Sequence, residues 1–117
     1  MSRSDLDRLR DARDFARPAF SHATGLSADV LAQAWQPQHA ALYALTIVGE
    51  ALSRIPADLR SAAPAIQWDA IVALRNHLVH AYWQIDLEII AGIVENRIHP
   101  LLSELEKLIV LVDRMDT

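Results

Sequence analysis

The sequence predicts an all-α protein, an up-and-down bundle of four main helices with one or two short extra helices, forming a single domain over residues 1–117. Three observations carry that expectation. Alanine and leucine dominate a chain that is 52% hydrophobic and 22% charged, with only 3 glycines, a balance that favours helix. Apolar residues recur at three- and four-residue spacing rather than in alternation. Strand-favouring residues hardly cluster anywhere. At 117 residues the chain is long enough for one hydrophobic core and short for two.

The elements follow in order. Leu6, Leu9, Ala12, Arg13, Ala16 and Phe20 recur at helical spacing behind Ser4, a suitable N-cap. That helix is expected to end around residues 22–25, where threonine and glycine punctuate. Ser27 caps a short second helix over residues 28–35, which Pro37 interrupts. The third helix occupies residues 38–55, with Leu42, Leu45, Val48, Leu52 and Ile55 as its apolar stripe. Pro56 and Pro64 bracket a connector that holds one turn at residues 57–60. A fourth helix begins near Ile66 or Gln67 and carries Trp68, Ile71, Val72, Leu74, Leu78 and Val79. Asp86 caps a fifth segment reaching Arg97, and Pro100 suits the first turn of a last helix that extends to about Met115. There is no internal repeat and no low-complexity tract.

Composition also narrows the function. Without cysteine there is no disulfide, thiolate metal site or thiol nucleophile. The opening MSRSDLDRLRDARDF alternates charges and lacks an apolar h-region, so no secretory signal is expected. No apolar run approaches the roughly 20 residues that span a bilayer. The expectation is a cytoplasmic protein with no membrane partner. Net charge is −4, and it is concentrated late: residues 84–117 carry three bases against seven acids. This is not the basic footprint of a protein that binds nucleic acid through its overall field. Any phosphate-bearing substrate must be met by a local group.

One local group stands out. RNHLVHAYW, residues 75–83, places an arginine, an asparagine, two histidines and a tyrosine among aliphatics. On a straight helix of about 100° per residue, Arg75 shares a stripe with Ile71, Val72, Leu78 and Tyr82. Asn76 and His80, four apart, share a neighbouring face, with His77 close to both. Arg75 and His80 stand about 140° apart around the axis, so one straight helix cannot aim both at one atom. Either the helix distorts near Val79, or Arg75 reaches round on its long stem, or a second copy completes the site. The last option points to a homodimer with the motif helices facing each other.

The chemistry of these groups is specific in kind. Histidine can take and return a proton near neutrality. Arginine matches phosphate oxygens and stabilises negative charge developing in a transition state. With no acidic cluster at hand, the set suits metal-independent attack of an RNA 2′-hydroxyl on the adjacent phosphate, His80 moving protons and Arg75 binding the phosphorane-like state. Two other readings stand beside it on spacing alone: ordinary surface and packing residues, and a metal held by His77 and His80 at i and i+3.

RNHLVHAYWQIDLEII, residues 75–90, resembles the signature of HEPN domains of the HepT toxin type: arginine, four residues, histidine, one residue, tyrosine, then an aspartate–leucine segment. Upstream, IVGEALSRIPADLR at residues 47–60 is similar to that family's I-G-E-A…L-P…R block, and QWDAIVALRN to its P-W-x-x-I-x-x-x-R-N. RIHPLLSEL resembles a late family helix, and the likeness covers about residues 38–110. The resemblance implies a metal-independent ribonuclease with Arg75 and His80 as the catalytic pair in a cleft between two protomers, acting on cellular RNA without a cofactor. Asn76 and His77 would support the pair. Tyr82 would be the residue that an MntA-type nucleotidyltransferase antitoxin modifies with AMP, laying phosphate and adenosine beside Arg75. The alternative it implies is a non-catalytic HEPN subunit that binds nucleotide or docks within a nucleotidyltransferase complex.

Glu50 lies inside the apolar stretch VGEAL, where a carboxylate is costly unless paired. The resemblance suggests that it faces the motif helix, so a salt bridge orienting Arg75 is expected, against an exposed glutamate at the edge of the third helix. The chain also departs from the family pattern. Gln67 stands where the block has proline, and Tyr43 and Ala91 where many relatives carry arginine and tryptophan. The acidic last third implies a substrate gripped only at the motif cleft, or a small structured region such as a tRNA end.

Overall fold

A computed structural model describes residues 4–115. Seven α-helices and one 3₁₀ turn account for its regular structure, and the described residues contain no strand. Helix α1 spans Asp5–Ala23, α2 Ala28–Gln33, α3 Trp35–Ser53, α4 Ala57–Ser61, α5 Trp68–His80, α6 Leu87–Asn96 and α7 Ile98–Met115. The 3₁₀ turn, Tyr82–Gln84, joins α5 to α6. The expected helical bundle is what forms, with α1, α3, α5 and α7 as its long members. None of these helices is long and apolar enough to cross a membrane.

Local chemistry explains most of the boundaries. Ser4 accepts from the Asp7 amide while Asp7 reaches back to the Ser4 amide, a reciprocal cap for α1. The chain leaves α1 through Gly25 at φ 77, which glycine adopts without strain. Ser27 and Asp86 cap α2 and α6 through their side chains. Pro37 differs from expectation. The break falls before it, at Ala34, and Pro37 lies in the first turn of α3, where an amide N–H has no intrahelical partner to lose. Helix α2 is therefore shorter than expected and α3 begins three residues earlier.

The core runs down the centre of α1 and α3, where Leu9, Ala12, Ala16, Ala19, Val48 and Leu52 are buried, and is closed by Leu105, Leu108 and Val112 of α7. Small alanines on α1 let α3 approach closely along their shared length. Helix α5 packs on the far flank of α3 through Leu78, Ile71 and Leu74. Its start is pinned. Trp68 Nε1 donates to the Ala63 carbonyl at 3.0 Å, and the Arg60 guanidinium lies 5.4 Å over the Trp68 ring. Arg60 also donates to the carbonyls of Ile55 and Ser53, so one residue ties the end of α3 to the beginning of α5.

Candidate active site on helix α5

The crossing of α5 over α3 is set by Gly49. A methyl group placed there would overlap Arg75 Cβ and lie 3.0 Å from its Cγ and 3.3 Å from its Cα. Only a residue without a side chain allows the two helices to meet at this point. The next residue then receives the guanidinium: Glu50 Oε2 accepts from Arg75 Nη2 at 2.7 Å. The expected Glu50–Arg75 salt bridge is therefore present, and α3 supplies both the gap and the anchor in consecutive residues.

Glu50 is shared. Its Oε1 accepts from Arg54 Nη2 at 3.0 Å and Nε at 3.3 Å, one turn along α3. The Arg54 hydrogen bonds, with the positive charges of Arg75 and Arg54, hold the Glu50 carboxyl below the usual glutamate range, against a smaller opposing push from burial. On its other side, Arg75 Nη1 donates to Asn76 Oδ1 at 2.9 Å. Arg75 Nε is buried with no hydrogen-bond partner. A buried donor left unpaired costs about 1–3 kcal/mol.

Glu50, Arg75 and Asn76 form one connected group. His77 and His80 occupy the last turn of the same helix, with exposed rings. The guanidinium is directed to Glu50 and Asn76, and the separation of Arg75 from His80 around the axis persists because α5 stays helical through both. Tyr82 is a correction. It does not share a helical stripe with Arg75, because α5 stops at His80; Ala81 leaves the helix at φ −146 and ψ 41, its amide donating to the His77 carbonyl. Tyr82 sits in the 3₁₀ turn instead, 68% exposed, its ring edge-on to Trp83 with centroids 5.6 Å apart. Its hydroxyl is free to be approached.

Two participants were not singled out from sequence. Arg54 shows its signal in the i,i+4 spacing from Glu50. Gly49 shows only a partial signal as a helix-interior glycine, which costs about 1 kcal/mol against alanine, since Gly92 of α6 is equally interior yet meets nothing. Among the described residues no group of three or more acidic, histidine or cysteine side chains could hold a metal ion. An apolar cleft of about 400 Å³ opens between α3, the start of α5, α6 and α7, lined by Leu45, Val48, Ile71, Leu74, Ile98 and Leu101 among others. Glu50, Arg75, Asn76, His77, His80 and Tyr82 do not line it.

Comparison with known proteins finds one family and several relatives. The family model described as ribonuclease HepT-like matches residues 6–108. A protein of Methanocaldococcus jannaschii provisionally named an RNase (MJ0127) is 29% identical over 104 residues, covering 89% of this chain and 80% of that protein. A Thermococcus cleftensis protein named a probable ribonuclease HepT is 37% identical over 71 residues, covering 61% of this chain and 64% of its own length. A second M. jannaschii protein provisionally named an RNase (MJ1380) is 36% identical over 69 residues, 59% of this chain and 63% of that one. No solved structure matches the chain.

Proposed function

The chain belongs to the HepT-like ribonuclease family, and from that premise we propose that it is a metal-independent endoribonuclease whose active centre is built on α5 from Arg75 and His80. The observation that carries this reading is the Glu50–Arg75–Asn76 group, which fixes a guanidinium on the helix that also carries the exposed His77 and His80. Such a group supplies fixed positive charge to a phosphodiester.

In the reaction, the 2′-oxygen of one nucleotide attacks the adjacent phosphorus while an imidazole takes its proton. Arg75 carries the negative charge that develops on the phosphoryl oxygens. The bond to the 5′-oxygen breaks and that oxygen takes a proton from an imidazolium, leaving a 2′,3′-cyclic phosphate and a 5′-hydroxyl. Because Arg75 and His80 diverge on one helix, the reading places the reaction between two copies with their α5 helices facing. Glu50, Asn76 and His77 position the reacting groups.

The proposal extends to biology. The protein acts as a toxin on cellular RNA, and an MntA-type nucleotidyltransferase partner silences it by transferring AMP to Tyr82, an exposed hydroxyl just past the motif helix. The added phosphate and adenosine then occupy the cleft.

Expression of the chain alone in a bacterium, beside His80→Ala, tests the enzyme. Growth arrest and fragmented RNA are expected from the wild type only, with cleavage by purified protein unchanged in a chelator. Intact RNA in both strains would remove the ribonuclease and leave a nucleotide-binding or docking subunit. Incubation with the partner and ATP is expected to add AMP mass to the wild type and none to Tyr82→Phe.

A further inference from the structure

Outside that site, the outer face of α3 carries a row of rings. Trp35, His39 and Tyr43 follow at four-residue intervals and all are exposed, Trp35 by 69% and Tyr43 by 62%. Side chains of this size normally bury most of their area. At about 100° and 1.5 Å per residue, Trp35, His39, Tyr43, Thr46 and Glu50 fall within a strip roughly 80° wide and about 22 Å long. The far end of the strip is the Glu50–Arg75 ion pair.

The rings are supported from the side. Trp35 lies against the His39 imidazole with centroids 6.0 Å apart, and Tyr43 meets Phe15 of α1 edge-on at 6.1 Å. The charge pattern is equally distinctive. Residues 30–49 contain no aspartate or glutamate, although the chain has 15 of them. A polyanion lying along this strip meets no carboxylate on α3 until Glu50, whose two oxygens are engaged by Arg54 and Arg75.

We infer that the outer face of α3 is a stacking track for single-stranded RNA, with bases flanking the scissile phosphodiester lying on Trp35, His39 and Tyr43 while the phosphate sits at Arg75. The inference rests on the ribonuclease reading and adds to it the path of the strand and the requirement that the strand be unpaired. Every base presents a π-face, so rings hold a strand without reading its sequence. A track of rings also suits an acidic protein, because its affinity does not depend on neutralising many phosphates. Paired bases are already stacked on one another and cannot use it.

The test compares cleavage of a short unpaired oligonucleotide and of a dinucleotide by the full wild-type chain and by a W35A/Y43A double variant, with solution mass measured for both proteins. The double variant is expected to raise KM for the oligonucleotide about tenfold or more while sparing kcat. Dinucleotide cleavage should match wild type, because nothing reaches the track. Trp35→Phe and Tyr43→Phe, which keep a ring, should hold KM near the wild-type value. An active wild type whose KM is unmoved by W35A/Y43A overturns the track. A change of solution mass in the double variant also overturns it, by making the strip an interface between copies. A wild type that cleaves neither substrate overturns the ribonuclease reading instead, and oligonucleotide binding that W35A/Y43A abolishes would then support the track on its own.

Discussion

Arg75 is held from both ends of its guanidinium, one Nη on Glu50 and the other on Asn76, over a stem that rests on Gly49. Lysine at this position keeps the charge but not the planar fork that engages both partners. Arg75→Lys is expected to keep the thermal midpoint near wild type and to lower kcat for RNA cleavage about a hundredfold or more, read in a steady-state assay. Glu50 adds a pH signature. Its folded pKa is lowered, so the stability it contributes is fully present above about pH 4.5 and is lost as pH falls through the folded value. The difference in thermal midpoint between wild type and Glu50→Gln should therefore be constant from neutral pH down to that region and shrink below it. With more than a third of the side chain in water the difference is small, and a Glu50→Gln chain whose deficit grows in acid would contradict the ion pair.

At the level of the helices, glycine does two different things. Gly49 sits where a methyl group would overlap Arg75, whereas Gly92 in α6 has nothing within 4 Å of its would-be side chain. Gly49→Ala is expected to destabilise by about 1–3 kcal/mol through overpacking and to abolish cleavage although Arg75 is intact. Gly92→Ala should be neutral or stabilising by about 1 kcal/mol, since it only improves helix propensity. Thermal melts of the two variants side by side check both. Pro18 makes a related point. It lies inside α1, where it removes an internal hydrogen bond, yet the helix runs to Ala23 because Ala12, Ala16, Ala19 and Ala23 are buried along its length. Packing outweighs propensity there.

For the molecule as a whole, two acids of the last third are answered across the bundle. Glu106 pairs with Arg17 at 3.0 Å and Arg13 at 3.8 Å, and Asp113 with Arg10 at 3.9 Å, which ties α7 to α1. Those pairs are solvent-exposed and each contributes about 0–1 kcal/mol. A shared site predicts complementation. Arg75→Ala and His80→Ala, each inactive alone, should regain a measurable fraction of cleavage when mixed and allowed to exchange subunits, because one cleft in a mixed dimer then holds an intact arginine and an intact histidine. Activity recovered from neither the mixture nor the separate chains would place both residues in one copy.

Caps, breaks and apolar spacing were readable along the chain, because each depends on residues within a turn or two of one another. Ser4, Ser27 and Asp86 start helices as their chemistry dictates, and α6 and α7 fall where Asp86 and Pro100 put them. The motif itself was equally visible, as a dense polar run in an aliphatic helix. Pro37 was misread because proline is tolerated in a first turn and forbidden only further in, and spacing does not say which turn it occupies. The end of α5 at His80, which parts Tyr82 from the stripe of Arg75, is marked by no glycine or proline. What only the folded chain decides is which residues far apart in sequence come to share one space: Gly49 against Arg75, Glu50 on its guanidinium, and the rings of α3 left in water. Those depend on where two helices cross, a property of the packed core as a whole and of no single segment within it.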